Sequence, residues 1–321
     1  MAGGCKTTGH GGLAPAGDTR DTRGATAPEF PRITADFAAF PTIGLAVRHI
    51  GESSGGGAVL LAGLEDLAPP RLNLSQAEFS DGLQRLVAGR DCVLQQTPYY
   101  VFIYPRGYEQ QESLSLVGTL SPRFEGVRAS FAVGAGTALF NAFALLSDAL
   151  EITVVADNQV AEDAWCGELF LDDAPVSAII EAILKSALLP REAIHIESTD
   201  DYVFIRSVSN PIQVPACVNC DALSPAQRRS LEARVDVQLP RVTPAPVFED
   251  AYTPLEQVLG ELSAQLGMAV SADPSLAKFP VHVAVMQDVP VGTALDLVVW
   301  QWSVPQFGYR VTGDGIYFCR R

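Results

Sequence analysis

The sequence predicts an α+β protein made of three consecutive small domains. Each holds two helices packed on small sheets, in the order strand-helix-strand-strand-helix-strand-strand. Three observations carry this expectation. Closing phrases recur as "YVFIYP" at 100–105, "YVFIRS" at 202–207 and "IYFCRR" at 316–321. Ahead of each stands a polar turn followed by apolar residues at helical spacing: "LSQAEFSDGLQRLV" at 74–87, "LDDAPVSAIIEAIL" at 171–184 and "VMQDVPVGTALDLVV" at 285–299. An opening helix-to-strand phrase is written twice, as "LLSDALEITVVADNQV" at 145–160 and "ELSAQLGMAVSADPSL" at 261–276. Phrases that recur in fixed order mark a repeated unit, and amphipathic helices beside short strands bury their apolar stripes as α+β layers.

The elements follow in chain order. Residues 1–30, rich in Gly, Thr, Ala and Pro, have the composition of a tether. Unit one, 31–105, opens on Ile43, Val47 and Ile50 and is the divergent copy. Its "GESSGGGAV" at 51–59 reads as a flexible insertion, because it lacks the Lys-Ser/Thr of a phosphate loop and precedes a strand. Phe79, Leu83, Leu86 and Val87 form its second stripe. In unit two, 127–207, Leu139, Phe143 and Leu146 lead into "EITVVAD", and Val176, Ile179, Ile180 and Ile183 mark the second helix. In unit three, 246–321, Thr253 is the expected N-cap, with Pro254 at the first helical position and Glu256 at the third. Leu255, Leu259, Leu262 and Leu266, then Val291, Leu295, Val298 and Trp302, supply its two stripes. Segments 106–126 and 208–245 read as linkers, the second Pro-rich with "CVNC" and a short polar helix in "SPAQRRSLEARVDV".

Composition narrows the function. Hydrophobic residues make up 48% of the 321, charged residues 18%, and the net charge is −15. So acidic a chain repels phosphate backbones, which argues against a nucleic-acid partner. No apolar run is long enough to cross a bilayer as a helix. Ala2, Gly3 and Gly4 directly precede Cys5, the arrangement at the lipidation site of bacterial lipoproteins, with Ala2 in place of the usual Leu. Cys5 is therefore a candidate acylated N-terminus, and the plainer alternative is an incidental cysteine. Six cysteines are too few for a disulfide scaffold of this length.

Local motifs offer little chemistry. Cys217 and Cys220 form a CxxC pair, which suits a local disulfide or inert thiols, a redox dithiol, or half a zinc site. Zinc would want a second pair of ligands, and a c-type haem would want His where Asp221 stands. His10, His49, His195 and His282 are scattered, and Asp172-Asp173 and Asp200-Asp201 read as solvated turn residues. Trp302 continues a core stripe, whereas Trp300 and Trp165 are weighed as core or partner contacts, with core favoured. No catalytic, cofactor or metal residues are assigned.

Units two and three resemble the secretin/TonB short N-terminal (STN) domain family. In unit three the shared pattern is Pro254-Leu255, Val258-Leu259, Leu262-Ser263, Gly267, Val270, Asp273, Val281–Val283, Val289-Pro290 and Ala294-Leu295. In unit two it is Leu145-Leu146-Ser147, Ile152, Asp157, Ala174-Pro175 and Ile179 through Leu184, while unit one agrees only in its second half. The pattern is hydrophobic, with no catalytic signature. The resemblance implies binding and assembly in the Gram-negative envelope, either in rings at the periplasmic base of secretins or at docking sites for inner-membrane signalling proteins. The expected protein is a non-catalytic periplasmic scaffold built from STN-like repeats, a homo-oligomer, and a component or partner of a secretin-like or other outer-membrane-associated assembly. Any membrane attachment would run through Cys5. The alternatives are a TonB-receptor-type adaptor binding a transducer and, from another class, a thiol-disulfide or metal-binding protein using Cys217 and Cys220.

Overall fold

The computed structural model describes residues 30, 32–108, 114–189, 194–210, 212, 215–240 and 252–321. Cys5 and almost all of the expected tether lie outside them. The class is α+β, and one strand order recurs three times.

The first unit runs β1 (Ile33–Asp36), α1 (Ile43–Ser54), β2 (Ala58–Leu60), β3 (Asn73–Ala77), α2 (Phe79–Leu86), β4 (Cys92–Gln96) and β5 (Val101–Pro105). β1 pairs antiparallel with β3, β2 parallel with β5, and β4 antiparallel with β5. After α3 (Pro122–Glu125), the second unit runs β6 (Arg128–Val133), β7 (Thr137–Ala138), α4 (Leu139–Leu150), β8 (Val154–Ala156), α5 (Asn158–Ala161), β9 (Trp165–Cys166), β10 (Leu169–Pro175), α6 (Val176–Ser186), β11 (Ile194–Ser198) and β12 (Val203–Ser207). Its pairings repeat the first: β6 with β10, β8 with β12, and β11 with β12. After α7 (Pro225–Glu232), the third unit comprises β13 (Arg234–Leu239), β14 (Tyr252–Pro254), α8 (Leu255–Leu266), β15 (Ala269–Ala272), β16 (Pro280–His282), β17 (Ala284–Pro290), α9 (Val291–Trp300), β18 (Phe307–Val311) and β19 (Gly315–Arg320). β13 pairs with β17, β15 with β19, and β18 with β19, in the same senses. Units two and three add a small pair, β7–β9 and β14–β16, that the described residues of unit one lack.

The repetition extends to single atoms. Each opening helix ends on a left-handed residue, Gly55, Glu151 or Gly267, which frees the chain to turn straight into the next strand. Each antiparallel pair carries a bulge at a residue of positive φ: Gln76 at 53°, Asp173 at 40° and Asp288 at 48°. The bulge N–H donates to a short side chain on the partner strand, Thr34, Ser130 or Asp236. Each closing hairpin is turned by a threonine, Thr97, Thr199 or Thr312, whose Oγ1 accepts backbone N–H groups of the turn.

Successive units are joined by strand edges. β2 pairs antiparallel with β10, so units one and two share the five-stranded sheet β4-β5-β2-β10-β6. At the next junction β8 lies beside β17, and Thr153 Oγ1 accepts from the Gln287 N–H at 2.9 Å. Both junctions carry the same backbone bond, from Ala62 N to Ser186 O at 2.8 Å and from Asn158 N to Gln301 O at 3.0 Å. The stripe residues Ile43, Val47, Ile50, Leu139, Leu146, Ile179, Ile183, Leu255 and Leu262 are buried, and Leu146 and Leu262 are both 0% exposed.

Several expectations require correction. "RVDV" is not the tail of a helix: α7 ends at Glu232, and β13 lies inside the segment read as a linker. Its alternation places Val237 and Leu239 in the core, and a period of two is a strand signal. Segment 106–126 also packs against the units, through buried Leu116, Leu120 and Phe124. Thr253 does not cap α8, because it pairs with Val281 in β14; Leu255 and Glu256 N–H donate instead to the Phe279 and Ala277 carbonyls. The glycines at 55–57 are not a flexible insertion. A side chain at Gly57 would meet the Tyr99 carbonyl at 2.1 Å, so glycine is needed there for close packing. Asp172 and Asp173 sit in β10 at its bulge, not in a turn.

Candidate functional site

The most constructed surface feature is the flank of unit three. Residues 215–219 run parallel to β18 as a strap along its outer edge. Val218 N donates to Tyr309 O at 2.7 Å, and Tyr309 N donates to Ala216 O at 3.1 Å. Asn219 continues the pairing with its side chain, which donates to Val311 O at 2.9 Å and accepts from Val311 N at 3.0 Å. Cys217 and Cys220 form a disulfide that closes the turn after the strap, with Cα atoms 5.6 Å apart. Arg321 donates from its guanidinium to Pro215 O at 2.6 Å and Phe307 O at 3.1 Å.

A carboxylate on α9 holds the strap from within. Asp296 accepts the Ala216 N–H at 2.9 Å. Burial pushes its pKa up to about 7, against the opposing pull of that bond and of Arg321. Unit two repeats the device. Glu181 stands at the matching position of α6 and accepts the Leu116 N–H at 2.8 Å from the preceding connector. Glu181 also accepts from Tyr100 Oη and pairs with Lys185 at 3.2 Å, and all three side chains are buried. Burial, with Glu181 adding to it, pushes the Tyr100 hydroxyl pKa upward. The buried Glu181–Lys185 pair, bonded to Tyr100 and Gln95, ties unit one to unit two.

The remaining sequence candidates fall apart in space. Trp300 is 4% exposed and packs on Tyr202 and Phe204 of unit two, so its partner is the neighbouring unit. Trp302 lies past the end of α9 yet is buried, its indole donating to Pro280 O at 2.8 Å. Trp165 is half-buried on β9. His282 stacks on Phe140 inside the second junction, while His49 and His195 are exposed on different elements. Asp201, in the β11–β12 turn, pairs with Arg234 at 2.6 Å. Among the described residues no group of three or more His, Cys, Asp or Glu could hold a metal, and no helix is long and apolar enough to cross a membrane. An open cleft of ≈ 590 Å³ lies between α4, α8, β13 and β17, lined by Asp148, Asp236, Glu261, Gln265 and Met286 among others. Its rim carries carboxylates and side-chain amides, and no Cys, Ser, Thr, Lys or His is among its lining residues.

Sequence reasoning missed the strap, the two clamping carboxylates and the arginines that open β6 and β13. Arg128 pairs with Asp173 and Arg234 with Asp288, each at the bulge of the facing strand. A signal existed in the shared "LSP" of 120–122 and 223–225, each followed by such an arginine. It marks the connectors as parts of the repeat.

Comparison with protein-family models, with curated proteins and with solved structures returned no match. The STN likeness therefore rests on the residue pattern quoted above.

Proposed function

We propose that the protein is a non-catalytic, periplasmic interaction protein: a scaffold of STN-like units that assembles with secretin-type or receptor-type partners of the bacterial envelope and with copies of itself. The observation that carries this reading is the way the chain binds itself. Units join through strand edges, at β2–β10, and a connector binds its unit by adding a strand, at 215–219 on β18. A fold that makes its own contacts by main-chain pairing is suited to bind other chains in the same way. The bridged Cys217–Cys220 pair supports an oxidising compartment. Fractionation of cells producing the natural protein tests the reading. The expected result is recovery from the periplasm or outer membrane with the pair oxidised, and Cys5→Ser releases any anchored form. Recovery from the cytoplasm with both thiols reduced overturns it.

A further inference from the structure

We propose that the outer edge of β4 is a docking site for an extended, uncharged segment of a partner protein, which adds parallel to β4 as an outer strand. The inference deepens the interaction reading above and rests on it for the existence of a partner. Its template lies in the same chain. β18 pairs Phe307 with Arg320 and Val311 with Ile316, and β4 pairs Cys92 with Pro105 and Gln96 with Val101. The repeat thus places Leu94 where Tyr309 stands and Gln96 where Val311 stands. Tyr309 and Val311 are the two residues whose outward groups bind the strap. Unit two covers the same flank more loosely, through Leu116 N on Glu181 and Ser121 N on Ser198 Oγ.

In unit one no described residue pairs with the outward backbone groups of Leu94 or Gln96. The strand also lacks the usual protection of an edge. No charged residue occurs from Cys92 to Pro105, and β4 contains no proline. Natural edges are blunted by such residues, so a bare apolar edge invites a strand. The clamp position is kept in neutral form. Glu181 and Asp296 sit five residues after the first residue of α6 and α9, and the same step from Phe79 reaches exposed Gln84 on α2. Its side-chain carbonyl can accept an incoming N–H as Asp296 accepts that of Ala216. An uncharged flank with a neutral acceptor selects an uncharged segment. A second copy's strap is a poor occupant, since it already covers its own β18.

The test uses the full chain and, as a stand-in for the partner's segment, an uncharged synthetic peptide of residues 212–220 with blocked ends and its bridge formed. Site-resolved hydrogen exchange reads the β4 amides. The expected result is about tenfold slower exchange at Leu94 and Gln96 with peptide bound, and little change at Val93 and Gln95. Gln84→Ala weakens the peptide about three- to tenfold, and Gln84→Glu, which copies unit two, restores or tightens it. Two results overturn the proposal: unchanged exchange at saturating peptide, or Leu94 and Gln96 already protected in the full chain and released by deleting residues 1–29. The second would give the edge to the chain's own N-terminal segment. Because purified protein is used, failure here leaves the compartment and assembly reading to be judged by fractionation.

Discussion

Asp296→Asn should flatten the pH dependence of stability. In the folded protein the Asp296 pKa lies at about 7, raised by burial from an ordinary 3.8. A carboxyl with a raised folded pKa contributes stability that is fully present below its unfolded value and is lost as pH rises through the folded one. Between about pH 5 and about pH 8.5 the wild type therefore loses about 2.5 kcal/mol through this group, as the partly buried carboxyl is forced to ionise. Asparagine does not titrate, and its Oδ1 still offers the Ala216 N–H an acceptor, so the strap stays in place. Asp157 and Glu168 are also pushed upward by burial, but they slope both proteins alike and cancel in the difference. The assay is urea unfolding across that pH range, followed by tryptophan fluorescence, with Trp300 and Trp302 reporting on unit three. The gap between variant and wild type should widen as pH rises. Parallel profiles, or a gap that narrows, would refute the reasoning.

Leu146→Ala and Leu262→Ala should each cost about 2–5 kcal/mol in denaturant unfolding, since both side chains sit fully buried at the same place in two copies of one helix. Replacing Cys217 and Cys220 together by serine should cost about 2 kcal/mol or less, because the closed loop is very short; the midpoint of thermal unfolding reads this. Alkylation with and without reductant, read by mass, reports whether the pair is bridged in solution. Thr199→Val removes the acceptor of the Asp201 and Tyr202 N–H groups and should cost about 1 kcal/mol.

The helices and closing hairpins were legible in the sequence because their signal is local. Ile43, Val47 and Ile50, or Val176, Ile179, Ile180 and Ile183, bury one stripe at helical spacing wherever the helix is placed. What escaped depends on long-range pairing. β13 has three alternating apolar residues, too few to outweigh the helical look of "RRSLEARV". Only the pairing of Val235 with Val289 and of Val237 with Met286 fixes it as a strand. The strap was hidden for the same reason. Its Pro-rich composition reads as a spacer, and its role comes from Tyr309, Val311 and Asp296, about eighty to ninety residues further along the chain. Trp300 was half legible: its apolar character showed, but the unit it touches did not.

The two ends of the array differ chemically from the junctions inside it. At the second junction Phe140 and Ala144 of α4 are buried, and Val283, Ala284, Val285 and Met286 are buried on the facing unit. On α8 the positions matching Phe140 and Ala144 are Glu256 and Gly260, both exposed. On the leading side of unit one, the positions matching Val283 and Val285 are Arg71 and Asn73, also exposed. Ala62 and Asn158 each donate a backbone bond to the next unit, whereas the third copy has Pro274 there, with no N–H to give. Polar outer faces are how a repeat array ends without aggregating. Both tips thus carry polar residues where the inner junction is apolar, and the trailing tip also lacks the donor. The flank of β4 carries no such safeguard, so the surface left for strand addition runs beside the array and not off its tips.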